Sequence, residues 1–375
     1  MARSAHAYVR GNTVKFYEWL NAQNSLTLPE GPAVWICGDC HAGNLGPVAD
    51  ARGRVEIEIR DLDQTVIGNP AHDLIRLGLS LATASRGSDL PGVTTAKILE
   101  QMIVGYQEAL KKTDDDIDES PEAVNIVMKQ AVTRSWKHLA EERIKDIKPT
   151  IPLGRKFWPL TAAEKGELKT LFHRDNVRHL VTMLRSRDDD ADVEIADAAY
   201  WMKGCSSLGK LRFAVLIRVG NGKKNDLCLI DVKEAIKPAA PHYTDPAMPR
   251  NNAHRVVEGA RHLSPYLGKR MLAARLLNRS IFMRELLPQD LKLEIEQLTV
   301  DEAMKAARYL GSVVGKAHGR QMDVSMRKSW SKELARNQPK SLDAPSWLWS
   351  SVVALIGLHE ASYLEHCRQF AMQAK

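Results

Sequence analysis

Gly38-Asp39-Cys40-His41-Ala42-Gly43-Asn44 decides how this chain is read, together with Asp61-Leu62-Asp63, which begins 17 residues beyond Asn44. Upstream, Val34-Trp35-Ile36 is a short apolar run that reads as a strand entering a Gly-rich loop. Downstream, Val55-Glu56-Ile57-Glu58-Ile59 alternates apolar and charged, the period of a half-buried strand, and Asp61 stands just past its end. A hairpin is predicted, which returns Asp61 beside the loop. Asp39, Asn44 and Asp61 would then face one point.

Phosphoryl transfer from a nucleotide needs such a set. A carboxylate must orient or deprotonate the acceptor hydroxyl, and oxygen ligands must hold magnesium on the phosphates. Magnesium takes hard oxygen donors and usually one or two carboxylates. Asp39 is the candidate base, with Asn44 and Asp61 as metal ligands and Asp63 in support. Either Asp39 or Asn44 alone fits equally a tight turn that bonds its own backbone. The same residues hold a competing pattern: Cys37-Gly38-Asp39-Cys40-His41 matches the attachment signature of c-type haem. No Met or His is recognisable by motif as a second axial ligand. A zinc site would need a second Cys/His pair, which is absent at ligand spacing. Two small residues packed in a loop fit both cysteines as well.

A second candidate unit lies later in the chain. Gly204-Cys205-Ser206-Ser207-Leu208-Gly209 precedes the apolar runs 213–219 and 227–233, a strand pair around Gly220-Asn221-Gly222. Gly204, Ser206, Ser207 and Gly209 would let backbone amides approach phosphates, and a plain hairpin turn explains them too. Lys233 ends the second strand. A lysine after a Gly-rich hairpin is how kinases hold the α- and β-phosphates. The helix 252–263 then offers Glu258 as the ion-pair partner that orients Lys233, whereas Glu234 alternates to the opposite face. Residues 281–286 would form the strand and hinge lining an adenine pocket.

The remainder is largely helical: 13–20, 73–84 after the Gly68-Asn69-Pro70 turn, much of 94–187, 300–318 and 346–373. Asp114-Asp115-Asp116 reads as a solvated loop. The expected class is α+β, with a helical part over residues 1–190, a β-rich nucleotide lobe over 191–286 and a helical completion over 287–375.

With 375 residues, 44% hydrophobic and 26% charged, the composition is that of a soluble globular protein. No run reaches membrane-span length, and the first residues lack the apolar core of a secretory signal. Five cysteines are no disulfide framework, so a cytoplasmic setting is expected. The net charge of +7 suits anionic nucleotides, and the basic run 174–187 lacks the interleaved aromatics of a nucleic-acid binder.

Gly-Asp-x-His-x-x-Asn before a strand ending in Asp resembles the catalytic segment of the aminoglycoside phosphotransferase and choline kinase-like families. Gly68-Asn69-Pro70-Ala71-His72-Asp73-Leu74 is similar to their Gly-Asp-Pro-Ala-Tyr-Asp-Leu stretch. The resemblance implies that Asp73 buttresses the catalytic loop and that His41 supports it. Cys37 stands where those families carry a histidine. They place the nucleotide lobe before the catalytic loop, whereas this chain places it after. The helix ending Leu310-Gly311-Ser312-Val313-Val314-Gly315-Lys316-Ala317-His318 looks like the one that normally leads into the loop. The resemblance therefore implies a circularly permuted, two-lobed protein-kinase-like fold. The stretches 4–11, 37–46, 61–77, 204–212, 232–235 and 256–259 resemble a mainly bacterial family, domain of unknown function 2252, similar to kinase-like phosphotransferases. Its members carry residues ahead of the segment matching Ser4, which implies an N-terminally shortened chain. ATP and magnesium are the expected co-substrate and cofactor, with a small-molecule or protein hydroxyl as acceptor. AMP transfer and catalytically silent nucleotide binding are the alternatives.

Overall fold

Residues 8–9, 11–22, 28–87, 92–111, 121–133, 150–184, 187–202, 209–220, 226–289, 299–335 and 344–373 are described by the computed structural model. The first helix, α1 (Thr13–Ala22), buries Phe16, Tyr17 and Trp19. Strand β1 (Val34–Ile36) enters the loop, and one tight helical turn, Ala42–Asn44, leads out of it into β2 (Leu45–Ala49). The hairpin expected from the alternation forms. Strand β3 (Val55–Ile59) pairs antiparallel with β2, Ile59 opposite Leu45, and β4 (Val66–Gly68) returns to β1, Gly68 opposite Val34. Asn69 then caps α2 (Ala71–Gly87), its Oδ1 accepting from the Ala71 amide at 2.9 Å.

Two more helices follow, α3 (Gly92–Lys111) and α4 (Glu122–Thr133). Strand β5 (Phe157–Trp158) precedes α5 (Ala162–Phe172) and α6 (Asp175–Thr182). Next come β6 (Val193–Trp201), β7 (Arg212–Val219) and β8 (Asp226–Glu234). After α7 (Asn252–Leu263) and α8 (Pro265–Gly268), β9 (Met271–Leu276) and β10 (Arg279–Leu286) complete a six-stranded antiparallel sheet in the order β5-β6-β7-β8-β10-β9. The chain ends in α9 (Val300–Gly319), α10 (Val324–Leu334) and α11 (Ser346–Gln373). The class is mixed α+β. No helix among the described residues is long and apolar enough to cross a membrane.

Apolar residues collect into one large core drawn from both ends of the chain and two smaller ones on the faces of the sheet. The large core joins Phe16, Ile36, Leu74 and Tyr106 to Leu310, Trp330 and Leu355. Helices α3 and α9 cross at backbone contact inside it: a Cβ on Gly311 would lie 2.0 Å from Met102 O. Under the sheet, Phe213, Val215, Ile230 and Met283 pack on Leu168 and Val177 of α5 and α6. The other face carries Ala214, Leu216, Leu229 and Leu286, continued by Lys233 and its charged neighbours.

The alternation of β3 misleads at one residue. Glu58 is 3% exposed, not solvated. Its carboxylate accepts from Ser264 Oγ at 2.7 Å and from the amides of Tyr266 and Leu267 at 3.2 and 3.3 Å, where α8 docks on the hairpin. Burial pushes this carboxyl up. The acidic run 114–116, the Gly-rich residues 204–207 and the turn residues 221–222 lie outside the described residues.

Candidate active site

The loop after β1 is held by one face of α2. Asp73 Oδ2 accepts from the Cys37 amide at 2.7 Å and Oδ1 from the Gly38 amide at 2.9 Å. Arg76 Nε donates to Asp39 Oδ1 at 2.8 Å, and Ser80 Oγ accepts from the Ala42 amide at 3.2 Å. Positions 73, 76 and 80 follow helical spacing, so one stripe of α2 contacts the loop along its length. Gly38 is required here. Its φ is +74°, and a Cβ would meet Gln64 O at 2.3 Å. From the other side, Tyr17 Oη donates to Gly38 O at 2.5 Å, and burial keeps that phenol protonated far above its ordinary range.

Asp73 is fully buried, and a buried carboxylate is tolerable only with hydrogen bonds. Its third donor is His318 Nε2 at 3.2 Å, from the end of α9. His318 Nδ1 meets Tyr106 Oη at 3.0 Å, and Trp330 Nε1 donates to that same oxygen at 2.9 Å. An indole N–H only donates, so the tyrosine oxygen accepts from it and its own hydrogen is free for Nδ1. Nε2 then carries the proton to Asp73, and every member of the chain is satisfied.

Asn44 turns its Nδ2 back to Asp39 O at 3.0 Å, which leaves Oδ1 as an available oxygen donor. Its own carbonyl accepts from the Arg60 amide at 2.7 Å, and Asp61 comes next. The register of β2 and β3 therefore puts Asn44 and Asp61 at the same mouth of the hairpin, with Asp39 in the adjoining loop. Cys37 Sγ lies 3.6 Å from Asp61 O and closes the ring.

Lys233 reaches this mouth from β8. Its ammonium pairs with Asp63 Oδ2 and lies 3.8 Å from Asp61 Oδ1. Burial would lower the ammonium's pKa, but the two carboxylates outweigh it and raise it. For Asp61, burial is likewise outweighed, by Lys233 and then Arg284, and the carboxyl is held below the ordinary range. Asp63 goes the other way, pushed up to about 6 by burial and by the Asp61 charge. Asp61 is the open member, with its side chain 53% exposed against 24% for Asp63. Beside Lys233 on the same face, Arg212 forks onto Asp231 at 2.9 and 2.5 Å and lies over the Trp201 ring.

Glu258 does not join Lys233, contrary to the expectation from sequence. It pairs at the surface with Arg261 at 3.3 Å and His262 at 3.4 Å. The residue that α7 sends inward is Arg255. Of the Gly-rich residues, Gly204, Ser206 and Ser207 lie outside the described residues. Gly209 has φ +72°, and no described residue comes within 4 Å of a Cβ placed there. His41 is buried beneath the loop at 6% exposure. Cys37 and Cys40 sit in the large core at 0% and 1%. The Cys37 thiol is pushed up by its hydrogen bond to Cys40 and by burial, which keeps it unreactive. Thioether attachment of a haem would need both sulfurs to face a haem cleft.

A cavity of about 450 Å³ opens at the far end of the same hairpin, lined by Ala49, Gly53, Arg187, Leu227, Leu286 and Gln289. Leu286 stands four residues along β10 from Phe282, the residue opposite Lys233, or about 13 Å of extended strand.

Residues 1–369 match the family described as an uncharacterized protein conserved in bacteria, DUF2252. The chain belongs to this family. Searches of curated proteins and of solved structures return no match. In this family member, sequence reasoning missed Arg76, His318 and Arg255. Arg76 had a signal, since it stands one turn after Asp73 and must share its face. His318 had none beyond its place at the end of a helix.

Proposed function

We propose that the chain is a magnesium- and nucleotide-dependent phosphotransferase of permuted, kinase-like architecture. One observation carries the proposal: Lys233, from the β-rich unit, pairs with Asp63 and stands 3.8 Å from Asp61, at the mouth where Asn44 and Asp39 also lie. Lys233 is on the third strand of the run β6–β7–β8 and is followed by helix α7, the order in which kinases carry their lysine strand and αC. Ile230-Asp231-Val232-Lys233 stands where they carry V-A-I-K, with Asp231 neutralised by Arg212. The permutation is supported by the end of α9. Gln321 clamps Trp35 of β1, accepting from its amide at 2.7 Å and donating to its carbonyl at 3.0 Å. That helix end abuts the strand entering the loop, so a chain running directly from one to the other would need no rearrangement.

Asn44 Oδ1 and the exposed Asp61 carboxylate are hard oxygen donors of the type and number that suit magnesium. Bound there, the ion would neutralise phosphate charge. Asp39, fixed by Arg76, would accept the proton of the acceptor hydroxyl as its oxygen bonds to phosphorus and the bond to the diphosphate breaks. Lys233 would hold the phosphates, and the cavity beside Leu286 would take the base. Transition-state charge would be met by fixed cations rather than by a covalent enzyme intermediate.

The test is thermal stabilisation by ATP with magnesium, followed by transfer assays with ATP labelled at the α- or γ-phosphate. Wild type should be stabilised, Asp61→Ala should not, and Asp39→Asn should bind without transferring. Label from the α-phosphate in the product would redirect the assignment to AMP transfer. Equal turnover by wild type and Asp39→Asn would end the catalytic assignment.

A further inference from the structure

Helix α7 brings an arginine, not a glutamate, to the junction of the two units. Arg255 is 2% exposed, and its guanidinium bonds three backbone carbonyls. Nη1 donates to Thr65 O, and Nη2 donates to Asp63 O and Ile236 O, each at 3.0 Å. Asp63 and Thr65 belong to the segment that carries Asp61, and Ile236 lies three residues after Lys233. One side chain thus ties together the two segments whose ends would grip one ligand. Gly259, one turn later, makes the approach possible, since a Cβ there would sit 2.4 Å from Thr65 Cγ2. Thr65 Oγ1 in turn donates to Ile36 O at 2.6 Å, where β1 enters the loop. A planar guanidinium donates in several fixed directions, whereas an ammonium is a point donor on a flexible stem. Burial lowers Arg255 to about 10, which leaves it cationic at neutral pH.

We propose that Arg255 is a positioning residue that fixes the spacing of Lys233 from Asp61, the task that a lysine–glutamate pair performs in kinases. The proposal rests on the metal–nucleotide reading of the site, and the experiment separates the two. Calorimetry on the full chain measures the affinity for ADP with and without magnesium. The ratio of the two is the gain from the metal. In Arg255→Lys that gain should fall at least tenfold, while affinity for metal-free ADP stays within twofold of wild type. Gly259→Ala, which pushes α7 off Thr65 without altering charge, should give the same signature and carries the test if Arg255→Lys does not fold. A purely structural role would lower the melting temperature of both variants and leave the gain at its wild-type value, which overturns the proposal. Loss of the gain in Glu258→Gln with Arg255→Lys unaffected overturns it in favour of the glutamate. A wild type that shows no magnesium gain sinks the metal–nucleotide reading itself, and the role of Arg255 with it.

Discussion

Replacing Asp73 by Asn changes one oxygen of the carboxylate into an NH2 at a site with three donors. In the better orientation the remaining oxygen keeps the Cys37 amide and His318, and the NH2 faces the Gly38 amide, donor against donor. A buried N–H left without an acceptor costs about 1–3 kcal/mol. The two surviving bonds also lose their charge, and charge-assisted bonds are roughly twice as strong as neutral ones. Together the loss should be about 2–4 kcal/mol. Urea unfolding followed through the eight tryptophans measures it. Ser80→Ala, which removes a single acceptor from the Ala42 amide, should lose only about 1 kcal/mol. If Asp73→Asn falls within about 0.5 kcal/mol of wild type, as a neutral surface change would, Asp73 does not hold the loop.

Three further outcomes are expected. Gly38→Ala forces a side chain into a left-handed backbone and against Gln64 O, so it should lose roughly 1–3 kcal/mol from strain alone; an unchanged unfolding midpoint would contradict the loop geometry. His359 is 1% exposed with neither ring nitrogen bonded among the described residues, and burial, then Arg76 and Lys15, hold it down to about 4. The unfolded chain takes up that proton first, near 6.5, so stability falls as pH drops from about 6.5 towards 4, by roughly 3 kcal/mol from this group. His359→Leu should flatten the curve over that window, and an unaltered pH profile counts against the assignment. In Asp63→Asn the group that titrates near 6 is removed, so stability should no longer rise, by about 1 kcal/mol, as that carboxyl takes up its proton between pH 7 and 5. The profile of wild type minus variant measures this, and a difference that is flat across that range would refute it.

The loop and its buttress were legible because their spacing constrains geometry. Asn44 and Asp61 flank an alternating strand that can only form a hairpin with the residues before it. The register then sets them side by side. The strand pair 213–219 and 227–233 was legible from its continuous apolar runs, and both strands extend by about one residue beyond them. Glu258 was misread because spacing places a residue on a helix without saying which flank meets the site. The buried face of α7 centres on Val256, Ala260 and Leu263. At about 100° per residue Glu258 falls opposite it, while Arg255 and Gly259 share the flank that touches Thr65. Strand β9 was invisible because its Arg275 and Leu276 run directly into a turn with φ of 50° and 60° at Leu277 and Asn278, which no Gly signals. The pairing of Lys233 with Asp63 joins residues 170 apart in the chain, and no local pattern encodes such a distance.

The central claim is that Lys233 and Asp61 grip one magnesium–nucleotide, and a double-mutant cycle on ATP binding tests it most directly. Dissociation constants would be measured with magnesium for wild type, Lys233→Met, Asp61→Ala and the double variant. Shared grip predicts at least a tenfold loss in each single variant and a double variant little worse than either, a coupling of about 1.4 kcal/mol or more. Wild type that binds no ATP, or losses that simply add, would contradict it.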